Sequence, residues 1–195
     1  MSKPPIPRRE GLLDREGWLP EARRIASPNF DQRPEEATID LLVIHNISLP
    51  PGHFDGDAVI RLFTNRLDPG AHPYYASLVG LRVSAHFFIR RDGELIQFVS
   101  CDQRAWHAGA STWRGRSRCN DFSIGVELEG SDDHPYSDAQ YERLAALSVA
   151  LRRRYPLKEM VGHADIAPDR KTDPGPAFDW ARARNEFNRK CAIAG

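Results

Sequence analysis

The sequence predicts an α/β or α+β protein with a central mixed β-sheet flanked by helices. Three observations carry this. Apolar or alternating runs of strand length occur at 39–45, 84–99 and 122–129, and a helical stripe with its own N-terminal cap occupies 137–155. The two kinds of segment are interleaved along the chain, as layered sheet-and-helix folds require. A chain of 195 residues suits one domain around one core. A single domain is therefore expected over 11–195, after a flexible lead-in at 1–10 where Pro4, Pro5, Pro7 and clustered charges oppose packing.

In chain order, Ile39 to His45 is almost continuously apolar, which predicts a strand covered on both faces with His45 at its C-terminal end. Pro50-Pro51-Gly52 breaks the chain. Asp57 to Leu67 then carries Ala58, Leu62 and Phe63 at helical spacing until Asp68-Pro69-Gly70 stops it. Ser84–Ile89 and Glu94–Val99 are β-prone runs joined by Arg91-Asp92-Gly93, a predicted hairpin. The stretch from Trp106 to Asn120 is long and rich in Gly, Ser and Arg, as binding loops are. Phe122 to Glu129 alternates strictly: Phe122, Ile124, Val126 and Leu128 share one face, Ser123, Gly125, Glu127 and Glu129 the other. Ser137 and Gln140 form a capping box that opens a helix with a Leu144, Leu147, Leu151 stripe, closed by Tyr155-Pro156. Met160 to His163 predicts a short edge strand, and Phe178 to Cys191 a last helix.

Composition excludes several function classes. Lys plus Arg and Asp plus Glu both number 27, so no net field draws in phosphate backbones, and nucleic acid is not an expected partner. No run approaches the roughly 20 apolar residues of a membrane helix, and no membrane partner is expected. The N-terminus lacks the apolar region of a secretory signal. Cys101, Cys119 and Cys191 are odd in number and form no CxxC pair, against a disulfide framework or thiolate zinc knuckle. A cytoplasmic location is the resulting expectation.

Seven histidines raise the question of which are more than packing or surface. His45 ends a buried strand, where side chains face a cleft in α/β folds. His163 opens the loop that delivers Asp173. Two imidazoles and a carboxylate, if they converge, make a three-ligand zinc site with one open position, the hydrolytic kind; spacing does not itself bring them together. Lys171 lies two residues before Asp173 in a segment held extended by prolines, so the two side chains should leave on one side, a cation placed to stabilise an oxyanion. The alternative is a rigid polar loop with an exposed lysine. Glu127 and Glu129 are candidate general bases, with Gly125 leaving room for a ligand, or else they belong to a solvated outer sheet face. GxSxG, Walker A, HExxH and GxGxxG motifs are absent. A nucleophilic Cys101 or Cys119 stays open, although buried structural cysteine is the commoner fate.

VIHNISLPPG at 43–52, HPYYASL at 72–78, LRVSAHFFIRRDGELIQFV at 81–99, RAWHAG at 104–109, RCNDFSIGVELEG at 118–130 and GHADIAPDRKTDPGPAFDWAR at 162–182 are ordered motifs in one chain. Together they resemble the AmpD family of 1,6-anhydro-N-acetylmuramyl-L-alanine amidases, cytoplasmic enzymes of bacterial cell-wall recycling, from near Gly11 to about Arg184. The resemblance implies the amidase fold shared with phage T7 lysozyme and peptidoglycan recognition proteins, a mixed sheet flanked by helices with zinc at one edge. It implies His45, His163 and Asp173 as Zn²⁺ ligands, Glu127 as catalytic base, Lys171 as oxyanion stabiliser and Glu129 as a neighbour. Asn46, Arg82, Trp106 and Arg118 match positions expected to line the substrate groove. Asp173 stands where zinc amidases among the recognition proteins use cysteine. The implied reaction is hydrolysis of the amide between the lactyl group of a small-molecule anhydromuropeptide and its L-alanine. The rival readings are a non-catalytic peptidoglycan-fragment-binding module and an amidase acting on intact peptidoglycan.

Overall fold

In the computed structural model, which describes residues 11–189, the strands in chain order are β1 (Arg23–Arg24), β2 (Phe30–Asp31), β3 (Leu41–Ile47), β4 (Phe87–Ile89), β5 (Leu95–Gln97), β6 (Arg104–Ala105), β7 (Thr112–Trp113), β8 (Arg116–Ser117), β9 (Ser123–Glu129) and β10 (Glu159–Gly162). The helices are α1 (Ala58–Phe63), α2 (Pro73–Ala76), α3 (Asp138–Arg152), α4 (His163–Ile166) and α5 (Trp180–Asn188). The expected lead-in at 1–10 and Cys191 lie outside the described residues.

Six strands form one mixed sheet in the order β1-β5-β4-β9-β3-β10, with β4, β9, β3 and β10 mutually parallel and the β4–β5 hairpin antiparallel. β3 reads as a nearly unbroken apolar run because both of its faces are covered. Leu42 and Ile44 join Ile124, Val126 and Leu128 of β9 beneath Leu144, Leu147 and Leu151 of α3. Leu41 and Val43 point the other way, toward Ala108, Phe122, Val161 and Ile166. Further along that second face, Val59, Ile60, Leu62 and Phe63 of α1 pack on Phe88, Ile96 and Phe98. Each such Leu, Ile or Phe, moved from water into the core, contributes about 1.5–3 kcal/mol before chain ordering is counted.

α3 begins where its cap dictates. Gln140 N donates to Ser137 Oγ at 3.2 Å and Ser137 N donates to Gln140 Oε1 at 3.0 Å, which satisfies two otherwise orphaned amides. The predicted hairpin forms with shorter strands, and Gly93 takes φ +86° in its turn. α1 ends four residues earlier than the sequence pattern suggests, because Asn65 adopts φ +58° and turns the chain. His72-Pro73 opens the unforeseen single turn α2, with Tyr74 N donating to His72 Nδ1 at 3.1 Å. The 106–120 stretch carries the β7–β8 hairpin and a 3₁₀ turn at Cys119–Asp121. His163 starts α4 rather than ending a strand, and α5 starts at Trp180, where Asp179 Oδ1 accepts from Arg182 N at 2.9 Å.

Candidate metal centre

Parallel pairing brings chemistry from distant sequence to one edge of the sheet. The β3–β9 register sets His45 opposite Glu127, and the β3–β10 register sets Ile44 opposite Gly162, so His163 follows beside His45. Asp173 returns by a loop whose carbonyl accepts from Ala164 N at 3.0 Å. That crossing needs Gly162: a Cβ there would lie 2.9 Å from Pro174 Cδ. The four side chains, with Lys171 and Asn46, line a cleft of about 510 Å³.

His45 Nδ1 lies 3.0 Å from His163 Nδ1 and 3.0 Å from Asp173 Oδ2, and His163 Nδ1 lies 3.1 Å from the same oxygen. These residues could hold a metal ion. His45 is buried, and burial lowers its pKa to about 4, so it is neutral at pH 7 and has one ring nitrogen free as an acceptor. His163 Nε2 lies 3.1 Å from Ala108 O. A carbonyl only accepts, so His163 Nε2 carries the hydrogen of that bond, and Nδ1 is the ring atom that faces the centre and could bind a metal. Asp173 Oδ2 is likewise an acceptor. Basic atoms packed this closely call for a cation.

Glu127 is 8% exposed, and its Oε2 is one of two buried side-chain polar atoms among the described residues with no hydrogen-bond partner. Burial pushes its carboxyl well above the usual carboxylate range; the Asp173 charge adds to this and the Lys171 ammonium opposes it. A carboxyl so placed is suited to carrying a proton.

The structure corrects two readings of this strand. The space over Gly125 does not admit a ligand, because the His107 ring fills it; a Cβ on Gly125 would lie 2.4 Å from His107 Cγ. The polar side of β9 is not a solvated face, since all seven residues of the strand are buried. Glu129 is held by Arg91 N, which donates to its Oε2 at 3.0 Å, and it does not line the cleft.

Asn46 lies in the cleft wall, but its Nδ2 donates to Asp132 Oδ1 at 2.8 Å and Pro174 O at 3.1 Å. Arg82 lines an adjoining groove that shares Leu62, Leu78 and Leu81 with the cleft. Trp106 and Arg118 are outside the cleft lining; Trp106 N donates to Ser84 Oγ at 3.1 Å, and Arg118 pairs with Asp121 at 3.1 Å. Cys101 and Cys119 are buried free thiols, pushed up by burial and absent from the cleft, which removes the argument for a cysteine nucleophile. Sequence reasoning passed over His107, whose one local signal is a loop histidine facing a glycine of an alternating strand.

The sequence profile of the N-acetylmuramoyl-L-alanine amidase family matches residues 35–176, and the chain belongs to that family. It is 62% identical over 175 residues to the 1,6-anhydro-N-acetylmuramyl-L-alanine amidase AmpD of Citrobacter freundii, covering 89% of this chain and 93% of the relative. The crystal structure of a Se-Met AmpD derivative superposes with a TM-score of 0.87 at 61% identity, over 90% of this chain and 98% of that one. The Escherichia coli amidase AmiD, in complex with the substrate anhydro-N-acetylmuramic acid-L-Ala-D-γ-Glu-L-Lys, superposes with a TM-score of 0.56 at 30% identity, over 90% of this chain and 65% of that one. No helix among the described residues is long and apolar enough to cross a membrane.

Proposed function

We propose that the protein is a zinc amidase of peptidoglycan recycling that cleaves the bond between the lactyl group of 1,6-anhydro-N-acetylmuramic acid and the L-alanine of a muropeptide. The observation that carries this is the meeting of His45 Nδ1, His163 Nδ1 and Asp173 Oδ2 at 3.0–3.1 Å, beside a buried Glu127 oxygen without a partner. The substrate class is supported by the relatives, named for 1,6-anhydro-N-acetylmuramyl-L-alanine. A cytoplasmic location agrees with two buried free thiols and with a soluble substrate.

The donor set fits zinc, since two imidazole nitrogens and one carboxylate oxygen are ordinary zinc ligands that leave a fourth position open. Zinc bound there would supply Lewis-acid charge to polarise the amide carbonyl and acidify water. Glu127 accepts the proton of the attacking water at its free oxygen and returns it to the alanine nitrogen, which can leave only as a neutral amine. The Lys171 ammonium stabilises the charge that develops on the carbonyl oxygen. Asn46 acts one step back, tying the Pro174 carbonyl to β3 and so fixing the segment that carries Asp173. Arg82, in the groove beyond Leu78 and Leu81, meets the stem-peptide carboxylates. Trp106 and Arg118 touch the reacting amide in no part of this reading.

Soluble anhydromuropeptide and polymeric peptidoglycan, assayed side by side for released stem peptide, test the proposal. Fast release from the soluble substrate and slow release from the polymer is the expected result. Release from the polymer at least as fast would make the protein a wall-degrading amidase, and binding without release from either would make it a binding module.

A further inference from the structure

The metal-site reading requires His45 to turn a lone pair, not a proton, toward Asp173, yet a carboxylate 3.0 Å away favours the opposite tautomer. The answer lies behind the ring. His45 Nε2 is 3.0 Å from His107 Nδ1, His107 Nε2 is 3.3 Å from Ser123 Oγ, and Ser123 Oγ is 2.6 Å from Cys119 O. The chain ends on a backbone carbonyl, which cannot donate, so its polarity is fixed from that end. At 2.6 Å two oxygens need a proton between them, and the Ser123 hydroxyl spends its one hydrogen there. Toward His107 it can only accept. His107 therefore carries its proton on Nε2 and offers Nδ1 as an acceptor, which draws the His45 proton to Nε2 and leaves His45 Nδ1 bare at the centre.

Resting on the metal-site reading, we infer that His107 is a positioning residue that, through Ser123 and the Cys119 carbonyl, locks His45 in its metal-binding tautomer. The surroundings are built to hold it. Its ring occupies the space that only glycine leaves at 125 and meets His45 edge-on, with centroids 5.1 Å apart and planes at 83°. His107 N and Ala108 N both donate to Asn120 Oδ1, at 3.2 and 2.8 Å. The same two residues thus orient both imidazoles: His107 Nδ1 receives the His45 proton, and the Ala108 carbonyl receives that of His163. Outer partners of this kind fix tautomer and ring angle in metal sites, and their loss costs about 10–100-fold in metal affinity.

The test combines zinc titration of folded variants with ¹⁵N NMR of the parent. His107→Leu, which fills the space without an acceptor, should bind zinc about 10–100-fold more weakly. His107→Asn, whose Oδ1 stands near the position of Nδ1, should recover most of that loss, as a merely space-filling role would not allow. Ser123→Ala touches no ligand and should weaken binding less than His107→Leu; it decides the matter should His107→Leu fail to fold. NMR should show a scalar coupling across the hydrogen bond between His45 Nε2 and His107 Nδ1, with the proton bonded to His45. Unchanged zinc affinity in His107→Leu, or in Ser123→Ala if the former is unfolded, overturns the lock, as does a proton found on His107 Nδ1. A parent protein that takes up no zinc overturns the metal-site reading instead, and the lock is then judged by the same coupling in the metal-free protein.

Discussion

The two faces of β9 are equally buried and are satisfied in different ways. On one, Ile124, Val126 and Leu128 press into the core under α3, where dispersion and water exclusion are the whole interaction. On the other, Ser123 is bonded to His107 and Cys119, Gly125 seats the His107 ring and donates its amide hydrogen to His86 Nδ1, and Glu129 is held by Arg91. Only Glu127 keeps an oxygen with no partner on that face. Buried polar atoms are ordinarily paired because an unpaired one costs about 1–3 kcal/mol. The contrast teaches that on a fully furnished face the unpaired atom is where the proton chemistry sits, while its paired neighbours hold the side chains around it in place.

The contrast breaks most sharply at Glu127. Glu127→Gln should lower kcat about 10²–10⁴-fold, the usual worth of a positioned proton carrier, while Tm stays level or rises because a buried carboxyl has been neutralised. A variant of near-normal turnover would place the base elsewhere. Lys171→Ala should cost about 10²–10³ in kcat and little in KM, measured with the same substrate; a change confined to KM would make Lys171 a binding residue. Leu128→Ala, one residue from Glu127 but on the apolar face, should show the reverse pattern: a loss of about 2–5 kcal/mol in urea unfolding with turnover per folded molecule retained. Equal damage to turnover there would erase the distinction between the faces.

Acid should sharpen the contrast further. In the chelated protein, burial lowers the His45 pKa from 6.5 to about 4, and burial also lowers His86 and His107 well below the usual histidine value. Between those values each of these rings holds in the unfolded chain a proton that it lacks in the folded one, so the histidines lower stability as pH drops from 6.5 toward about 4, while the raised carboxyls of Glu127 and Glu129 act in the opposite sense. His45 alone accounts for at most about 3.5 kcal/mol of the histidine contribution, at about 1.4 kcal/mol per pKa unit. NMR titration of the folded chelated protein checks the rings one by one: a ring of His45, His86 or His107 that takes up its proton near 6.5 would contradict the account.

Much of the fold was legible because local pattern and tertiary role agree. The β3 run, the β9 alternation and the Ser137 cap each state their own structure, although β3 lies two residues further on, at Leu41–Ile47, and Phe122, just before β9, packs with Leu41 and Val43 and not with Ile124, Val126 and Leu128. β1 was not legible: Arg23–Arg24 has no apolar pattern and is a strand only because Ile96 and Gln97 offer it a free edge. The apolar spacing over 57–67 overstates α1, because Asn65, of a residue type that tolerates positive φ, turns the chain at φ +58°. In the site, the residue types of His45, His163, Asp173 and Glu127 suggested their chemistry, but their meeting depends on strand register, which a single sequence does not print. The family resemblance supplied it. His107 stayed hidden because its role exists only against Gly125 and Ser123, partners set by a fold and not by spacing.

Zinc content and turnover, measured together on the parent and on His163→Ala and Asp173→Ala, test the central claim most directly. The parent should hold one zinc per chain and release stem peptide, and both variants should lose metal and activity together. A His163→Ala protein that stays active without zinc would contradict the account.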